Sequence, residues 1–337
     1  MTRGKWMGVA IAVTVFGGMM LASLPSSKPP SPNGPIDKIT IGSPVYHSLL
    51  ILLAEHQGYF AGNGLDVTVN LYPYEDISME KFEHGEGDFT VTSEFTFART
   101  NRKEGRENLR IIASVATVSA QELLARRDHG ISEPADLKGK RIGIPLDSVL
   151  EYTLDRFLVL HGIAPGAITK VSCSYDRCAE EILRGEVDAT VLFDLPLDDV
   201  KKRLGADAQS WSTNITQPHY WPLVAKKQTL EGKPEVARRL IRALLEAQAF
   251  ASANPDRAEA ILTAGWNFSP EFLRRSRETT KLEISLDQSM IEAMEDEVAW
   301  LAEKHPTGEK QVLPNFLRLI DLGALDAVRP KAITILR

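Results

Sequence analysis

The sequence predicts an α/β fold in two lobes, each built on a mainly parallel sheet, with a ligand cleft between them. Runs of strand length, apolar or alternating, recur between stretches of helical spacing, and repeated β–α units favour parallel sheets covered by helices. The chain has 337 residues, 43% hydrophobic and 25% charged. That is enough for two domains with a core each, and it excludes a disordered or fibrous protein. An apolar run over 220–225 reads as a strand that carries the chain back to the first unit, so two crossings join the lobes.

The N-terminal segment speaks to location. Thr2-Arg3-Gly4-Lys5 is a short cationic start, 6–24 is uncharged and apolar, and 25–35 is rich in proline and serine. This is the layout of a secretory signal, 1–24, followed by a linker, 25–35. The expected location is therefore periplasmic or otherwise extracytoplasmic. Ala22 sits where a cleavage site would end, but Met20 breaks the small-x-small pattern. The apolar run also approaches the ~20 residues that span a bilayer, so a retained membrane anchor stays open. No cysteine follows the run, which argues against a lipid anchor.

The first unit then unfolds in order. A strand is expected over 36–41, and a helix over 49–54 with Ser48 as N-cap. Gly58 and Gly62-Asn63-Gly64 punctuate its end. Leu65-Asp66-Val67-Thr68-Val69-Asn70-Leu71 alternates apolar and polar as a half-buried strand does. A short helix over 77–84, a strand over 88–92, a helix over 94–103 and a strand over 109–115 complete it. In the second unit, strands are expected over 122–126, 141–144, 169–172 and 187–193, with helices over 148–161, 176–184 and 197–204. From Pro234 onward the chain reads as helical. Val236, Leu240, Leu244, Ala247 and Ala251 form one apolar face, and further helices fit 256–262, 271–277, 288–303 and 315–322.

The net charge of -6 comes without any Lys/Arg-rich run, so a nucleic-acid role has no support. The two cysteines, Cys173 and Cys178, form a disulfide in an oxidising compartment or stay as small core residues in a reducing one. Their spacing is not Cys-x-x-Cys, and two thiols do not make a zinc site. His47, His56 and His84 are scattered, so neither a metal site nor a cofactor is expected. Gly-x-Ser-x-Gly, His-Glu-x-x-His and the phosphate-binding Gly-x-x-x-x-Gly-Lys-Ser/Thr are absent. The chain thus reads as a non-enzyme, and any ATPase it works with is a separate subunit.

Several ordered segments carry a resemblance. They are Leu53-Ala54-Glu55-His56-Gln57-Gly58-Tyr59-Phe60 with Gly64-Leu65-Asp66-Val67, then Gly85-Glu86-Gly87-Asp88-Phe89. Ala135-Asp136-Leu137-Lys138-Gly139-Lys140-Arg141-Ile142-Gly143-Ile144-Pro145 is the most specific, and Leu183-Arg184-Gly185-Glu186-Val187-Asp188-Ala189 follows it. Together, over roughly 36–255, they resemble nitrate/sulfonate/taurine-type ABC transporter solute-binding proteins of the thiamin-pyrimidine-synthase-like superfamily. The resemblance implies a type II periplasmic-binding-protein fold. Lobe one would comprise 36–118 with 224–337, and lobe two 119–223. It also implies a monomer that closes on a small-molecule ligand by a hinge and works with an ABC permease and a separate ATPase. A membrane-tethered ligand sensor is the alternative. A pyrimidine-precursor synthase is a weaker one, because Cys173 and Cys178 are not placed as a cysteine-rich reactive loop.

In parallel sheets, ligands bind beyond the carboxyl ends of the strands. The candidate positions are therefore Tyr46, His47 and Ser48 after the first strand, Tyr72 with Tyr74 after the second, and Ser93 and Glu94 after the third. In lobe two they are Asp147, Ser148 and Asp194. Ser48, Ser93 and Ser148 open helices and suit an anion. Glu94, Asp147 and Asp194 repel one, and suit an amine or a nitrogen heterocycle stacked on tyrosine. The acids tip the expectation towards a nitrogen-containing organic ligand.

Overall fold

The computed structural model describes residues 36–102, 108–213, 218–306 and 314–336. The expected signal and linker, 1–35, lie outside the described residues. Among the described residues no helix is long and apolar enough to cross a membrane.

The strands are β1 (Asp37–Pro44), β2 (Leu65–Tyr72), β3 (Phe89–Val91), β4 (Leu109–Val118), β5 (Gln121–Arg126), β6 (Arg141–Ile144), β7 (Thr169–Ser172), β8 (Ala189–Phe193), β9 (Ala208–Ser212), β10 (His219–Lys226) and β11 (Thr280–Lys281). They form two sheets, ordered β11-β4-β10-β3-β1-β2 and β7-β6-β8-β5-β9. The helices are α1 (Leu49–His56), α2 (Tyr59–Gly62), α3 (Glu75–Glu83), α4 (Glu94–Asn101), α5 (Val149–Leu160), α6 (Tyr175–Leu183), α7 (Asp194–Leu204), α8 (Lys227–Gly232), α9 (Pro234–Ala253), α10 (Pro255–Trp266), α11 (Pro270–Thr279), α12 (Gln288–Lys304) and α13 (Gly323–Val328).

The α/β architecture in two sheets agrees with the sequence, but the sheets are mixed rather than mainly parallel. β1 runs parallel to β2 and β3, whereas β10 is antiparallel to both β3 and β4. In the second sheet β6 runs parallel to β7 and β8, and β5 is antiparallel to β8 and β9. Apart from the two-residue β11, which pairs antiparallel with β4, the strands that break the parallel pattern are those at which the chain crosses. A strand that arrives from the other lobe without a β–α–β loop is free of the rule that makes such units parallel.

The crossings fall at 119–120 and between Ser212 and His219, because β10 belongs to the first sheet along its whole length. The expected return at 224 is thus several residues late. An apolar strand pattern marks a strand but not the sheet that receives it. β9 and β11 were not anticipated, and 315–322 forms only a 3-10 turn, Phe316–Leu319. The extended stretch around Thr280–Lys281 is held by two pairings to β4, a tertiary contact with no local signature.

Each sheet has its own core. The first gathers Ile41, Leu52, Phe89, Ile112 and Leu223 under α1 and the apolar face of α9, where Val236, Leu240, Leu244 and Ala247 are all buried. The second gathers Leu123, Ile142, Ile144, Leu154 and Phe157. It also takes in Phe95 from α4 and Leu301 from α12. α12 therefore belongs to both lobes: Met290, Met294 and Val298 pack in the first core and Leu301 in the second.

Cys173, just past β7, and Cys178 on α6 are joined by a disulfide, with Cα atoms 5.4 Å apart. Both lie in a small cluster with Ile182, Val187 and Leu197. Closing so short a loop removes roughly 2 kcal/mol of chain entropy from the unfolded state. The double variant Cys173→Ala/Cys178→Ala should therefore lose about that much stability by urea denaturation; an unchanged midpoint would show that the bond adds nothing.

Candidate functional site

The loops beyond β1, β3, β6 and β8 meet where the two lobes touch. After β1, Ser48 caps α1, but its hydroxyl is buried and donates to the Val45 carbonyl at 2.6 Å. The His47 ring stacks on Trp221 at 3.2 Å with an interplanar angle of 11°. Burial, and to a lesser degree nearby His219, push its pKa down to about 3, so it is a neutral imidazole. Tyr46 is 46% exposed and rests against Phe272, with ring centroids 4.9 Å apart.

After β3, the Thr92 amide donates to Pro222 of β10 at 3.2 Å, which sets Thr92 beside Trp221. The Thr92 hydroxyl and the Trp221 indole N–H are both buried and find no hydrogen-bond partner among the described residues. Ser93 is the N-cap of α4 and accepts from the Thr96 amide at 3.1 Å. Glu94 is buried, with Oε1 2.9 Å from His219 Nδ1. Tyr72 ends β2 and lies over Gly42, where an added Cβ would stand 3.2 Å from its ring. Tyr74 reaches the other lobe: its hydroxyl donates to Asp176 at 2.6 Å and its ring stacks on Tyr175 at 5.5 Å.

In the second lobe, Asp147 and Asp194 follow β6 and β8 with φ of 55° and 48°. Left-handed backbone at a non-glycine residue is costly and collects at ligand sites. The two differ in what they touch. Asp147 is a tie between lobes: its carboxylate accepts from Lys304 at 2.9 Å and from His305 at 2.7 Å, and its carbonyl accepts from Arg99 at 3.0 Å. Ser148 is buried, caps α5, and donates to Pro145 at 2.6 Å. Asp194 is 9% exposed. Burial pushes its pKa up to about 6, with Arg275 opposing and Asp198 adding to the shift. Phe193 beside it meets Tyr175 edge-on at 6.1 Å.

The expected residues therefore divide. Tyr46, His47 and Asp194 present rings or acid near the seam, and Tyr72 packs over Gly42 at the end of β2. Ser48, Ser93 and Ser148 use their hydroxyls in local backbone bonds. Asp147 holds the lobes together, and Glu94 lies behind on His219. Reasoning from sequence did not assign Thr92, Arg99, Tyr175, Arg275, Trp300, Lys304 or His219 to this region. Thr92 and Tyr175 lie one and three residues beyond the ends of β3 and β7, so a wider window would have caught them. The rest come from distant helices and from β10.

The seam is closed by polar ties around an apolar joint. Arg99 also pairs with Asp76, Lys304 with Glu151, and Arg275 with Asp198 and Glu122. Trp300 donates to Asp155 at 3.0 Å. The cationic groups at the seam are thus engaged by carboxylates. By contrast, burial and Asp76 push Glu75 up to about 7.

A family model described as NMT1/THI5 like matches residues 46–258. The taurine-binding periplasmic protein of Escherichia coli is 29% identical over 131 residues, 37% of this chain and 40% of that protein. The chain thus aligns with less than half the length of that relative. Among solved structures, the alkanesulfonate-binding protein of Xanthomonas axonopodis pv. citri bound to MOPS superposes with a TM-score of 0.68 at 17% identity, covering 86% of this chain and 99% of that one. The periplasmic nitrate-binding protein of Synechocystis superposes with a TM-score of 0.66 at 12% identity, covering 91% and 93%. The two-lobed fold of this chain is that of the periplasmic binding proteins.

Asp194 makes stability depend on pH. Its folded pKa lies above the ordinary aspartate value of 3.8, so the folded state holds the proton more tightly and stability falls as pH rises from about 4 through 6. A shift of this size corresponds to roughly 2–3 kcal/mol. Asp194→Asn should remove that dependence and raise stability at pH 7.5 by about 2 kcal/mol, with little change at pH 4. Urea titrations at the two pH values measure it, and an equal effect at both would refute the buried-acid account.

Proposed function

Because the chain belongs to the NMT1/THI5-like family, we propose that it is an extracytoplasmic solute-binding protein of an ABC importer. It captures a small nitrogen-containing organic molecule between its lobes and delivers it to a permease driven by a separate ATPase subunit. The cationic N-terminus and the apolar run after it support export.

The observation that carries the ligand class is the charge arrangement of the seam. Arg99, Lys304 and Arg275 are each committed to carboxylates, while the buried Asp194 and the half-buried Glu75 keep raised pKa values. An anion entering here would meet acids without a spare cation. An ammonium group or a protonated ring nitrogen would let Asp194 ionise at neutral pH and would lie beside the Tyr175 and Phe193 rings. The stacked His47–Trp221 pair and the unpartnered Thr92 hydroxyl supply an opposing face with donors for a carbonyl or ring nitrogen. The taurine-binding relative fits this reading in one respect, since taurine carries an amine as well as a sulfonate.

The test is a thermal-shift screen against amines, pyrimidines, amino acids, sulfonates and nitrate, followed by calorimetry. A ligand that binds only the folded state raises stability by about 2.7 kcal/mol at a hundredfold excess over Kd. Stabilisation by a nitrogenous organic, weakened at least about tenfold by Asp194→Asn, is expected. Stabilisation by sulfonate or nitrate alone would overturn the ligand class. A ligand that binds Asp194→Asn as well as the natural protein would overturn the role of Asp194.

A further inference from the structure

We propose that Glu94, His219 and Glu297 form a buried binding site for a divalent transition-metal cation of the zinc or manganese type, at the joint between the lobes. This goes beyond the solute-binding reading and does not depend on it.

The three residues come from three elements: Glu94 opens α4, His219 opens β10 and Glu297 lies in α12. All three are buried, and one donor atom from each lies within 4.8 Å of the others. A cation about 2.1 Å from each donor needs them within about 4.2 Å of one another, so small side-chain rotations complete the site. The residues are 1%, 6% and 0% exposed. Both carboxylate oxygens of Glu297 and Oε2 of Glu94 are buried without a hydrogen-bond partner. A fully buried carboxylate with neither oxygen bonded is among the costliest groups a fold can hold. The charges Glu297 feels most are those of Glu94 and Asp296, both of its own sign. Among the described residues no lysine or arginine pairs with it.

The hydrogen bonds of His219 set its tautomer for metal binding. Nε2 lies 3.1 Å from Gln121 Oε1, which also accepts from the Thr153 hydroxyl at 3.1 Å. An amide oxygen accepts only, so Nε2 carries the proton. The lone pair of a neutral ring is then on Nδ1, directed at Glu94 Oε1 2.9 Å away. In the metal-free protein a single proton between the two atoms satisfies both as a hydrogen bond, and a cation placed beside the pair would take that proton's place. A histidine held by an acceptor on its far nitrogen is also how proteins orient metal ligands. One imidazole with two carboxylates suits zinc or manganese; calcium and magnesium prefer oxygen alone.

The full chain, stripped with a chelator, is titrated with Zn²⁺, Mn²⁺, Ca²⁺ and Mg²⁺ by calorimetry, with thermal melting alongside. One equivalent of Zn²⁺ or Mn²⁺ should bind and raise the melting temperature. Glu297→Gln, which keeps the side-chain shape, should weaken that binding at least about tenfold, and Gln121→Leu by about 10–100-fold. X-ray absorption of the zinc-loaded natural protein needs no variant to fold. It should show one imidazole nitrogen among oxygens near 2.0–2.1 Å. Absence of stoichiometric binding, a preference for Ca²⁺ or Mg²⁺, unchanged affinity in Glu297→Gln, or a shell with more than one imidazole would each overturn the site.

Discussion

β10 enters the first sheet between β3 and β4, and both neighbours precede the second lobe in sequence. The slot between them is filled only after the chain has made the second lobe and come back. Much else follows from that insertion. It lays the two crossings side by side, so that the Thr213 amide donates to the Gln121 carbonyl at 3.1 Å and His219 meets the Gln121 side chain. It brings Trp221 over His47 and seats Pro222 on Thr92. His219 and Trp221 stand on β10 itself, and Thr92 and Glu94 lie on the turn that β10 pins after β3. Contacts of such sequence separation cost loop entropy before they return any energy, so this strand governs when the first lobe can become native.

The seam itself is held by two kinds of contact. On the α12 side, Phe95 and Leu301 are buried in the second core and Trp300 bonds Asp155. Across the rest run ion pairs such as Lys304–Asp147 and Arg275–Asp198, together with the Tyr74–Asp176 bond. Partly exposed ion pairs contribute about 0–1 kcal/mol each, and water replaces them readily. The apolar contacts have no such substitute. A lobe motion that exchanges the polar ties for water and keeps α12 packed is therefore the least costly way to open the seam, with α12 and the two crossings as its axis.

The sequence made the scaffold legible where local patterning carried the information. The alternation over 65–71 and the apolar face of α9 each reported the surroundings of their own residues. Strand-end positions were legible for the same reason, because a loop after a strand is a local feature. What a side chain touches was not. Ser48, Ser93 and Ser148 looked like ligand hydroxyls and act as caps or loop ties, as serine at a helix start commonly does. Asp147 looked like a free acid, and its partners Lys304 and His305 lie more than 150 residues away. The trio Glu94, His219 and Glu297 has no spacing that a motif could describe, since three separate elements converge on it.

Those three residues also bear on the solute site through the backbone they share with it. Glu94 follows Thr92 and Ser93 on the same turn, and His219 stands two residues before Trp221 on the same strand. A cation that fixed Glu94 and His219 would also restrain the unpartnered Thr92 hydroxyl and the Trp221 indole, two residues away on each side. By linkage the effect would be reciprocal: whatever the cation does to solute affinity, the solute does to cation affinity, by the same factor. The Gln121 side chain extends the connection to the second lobe, because it bonds His219 of the first sheet and Thr153 of α5. A charge buried at the joint would thus be felt on both walls of the cleft without touching the ligand.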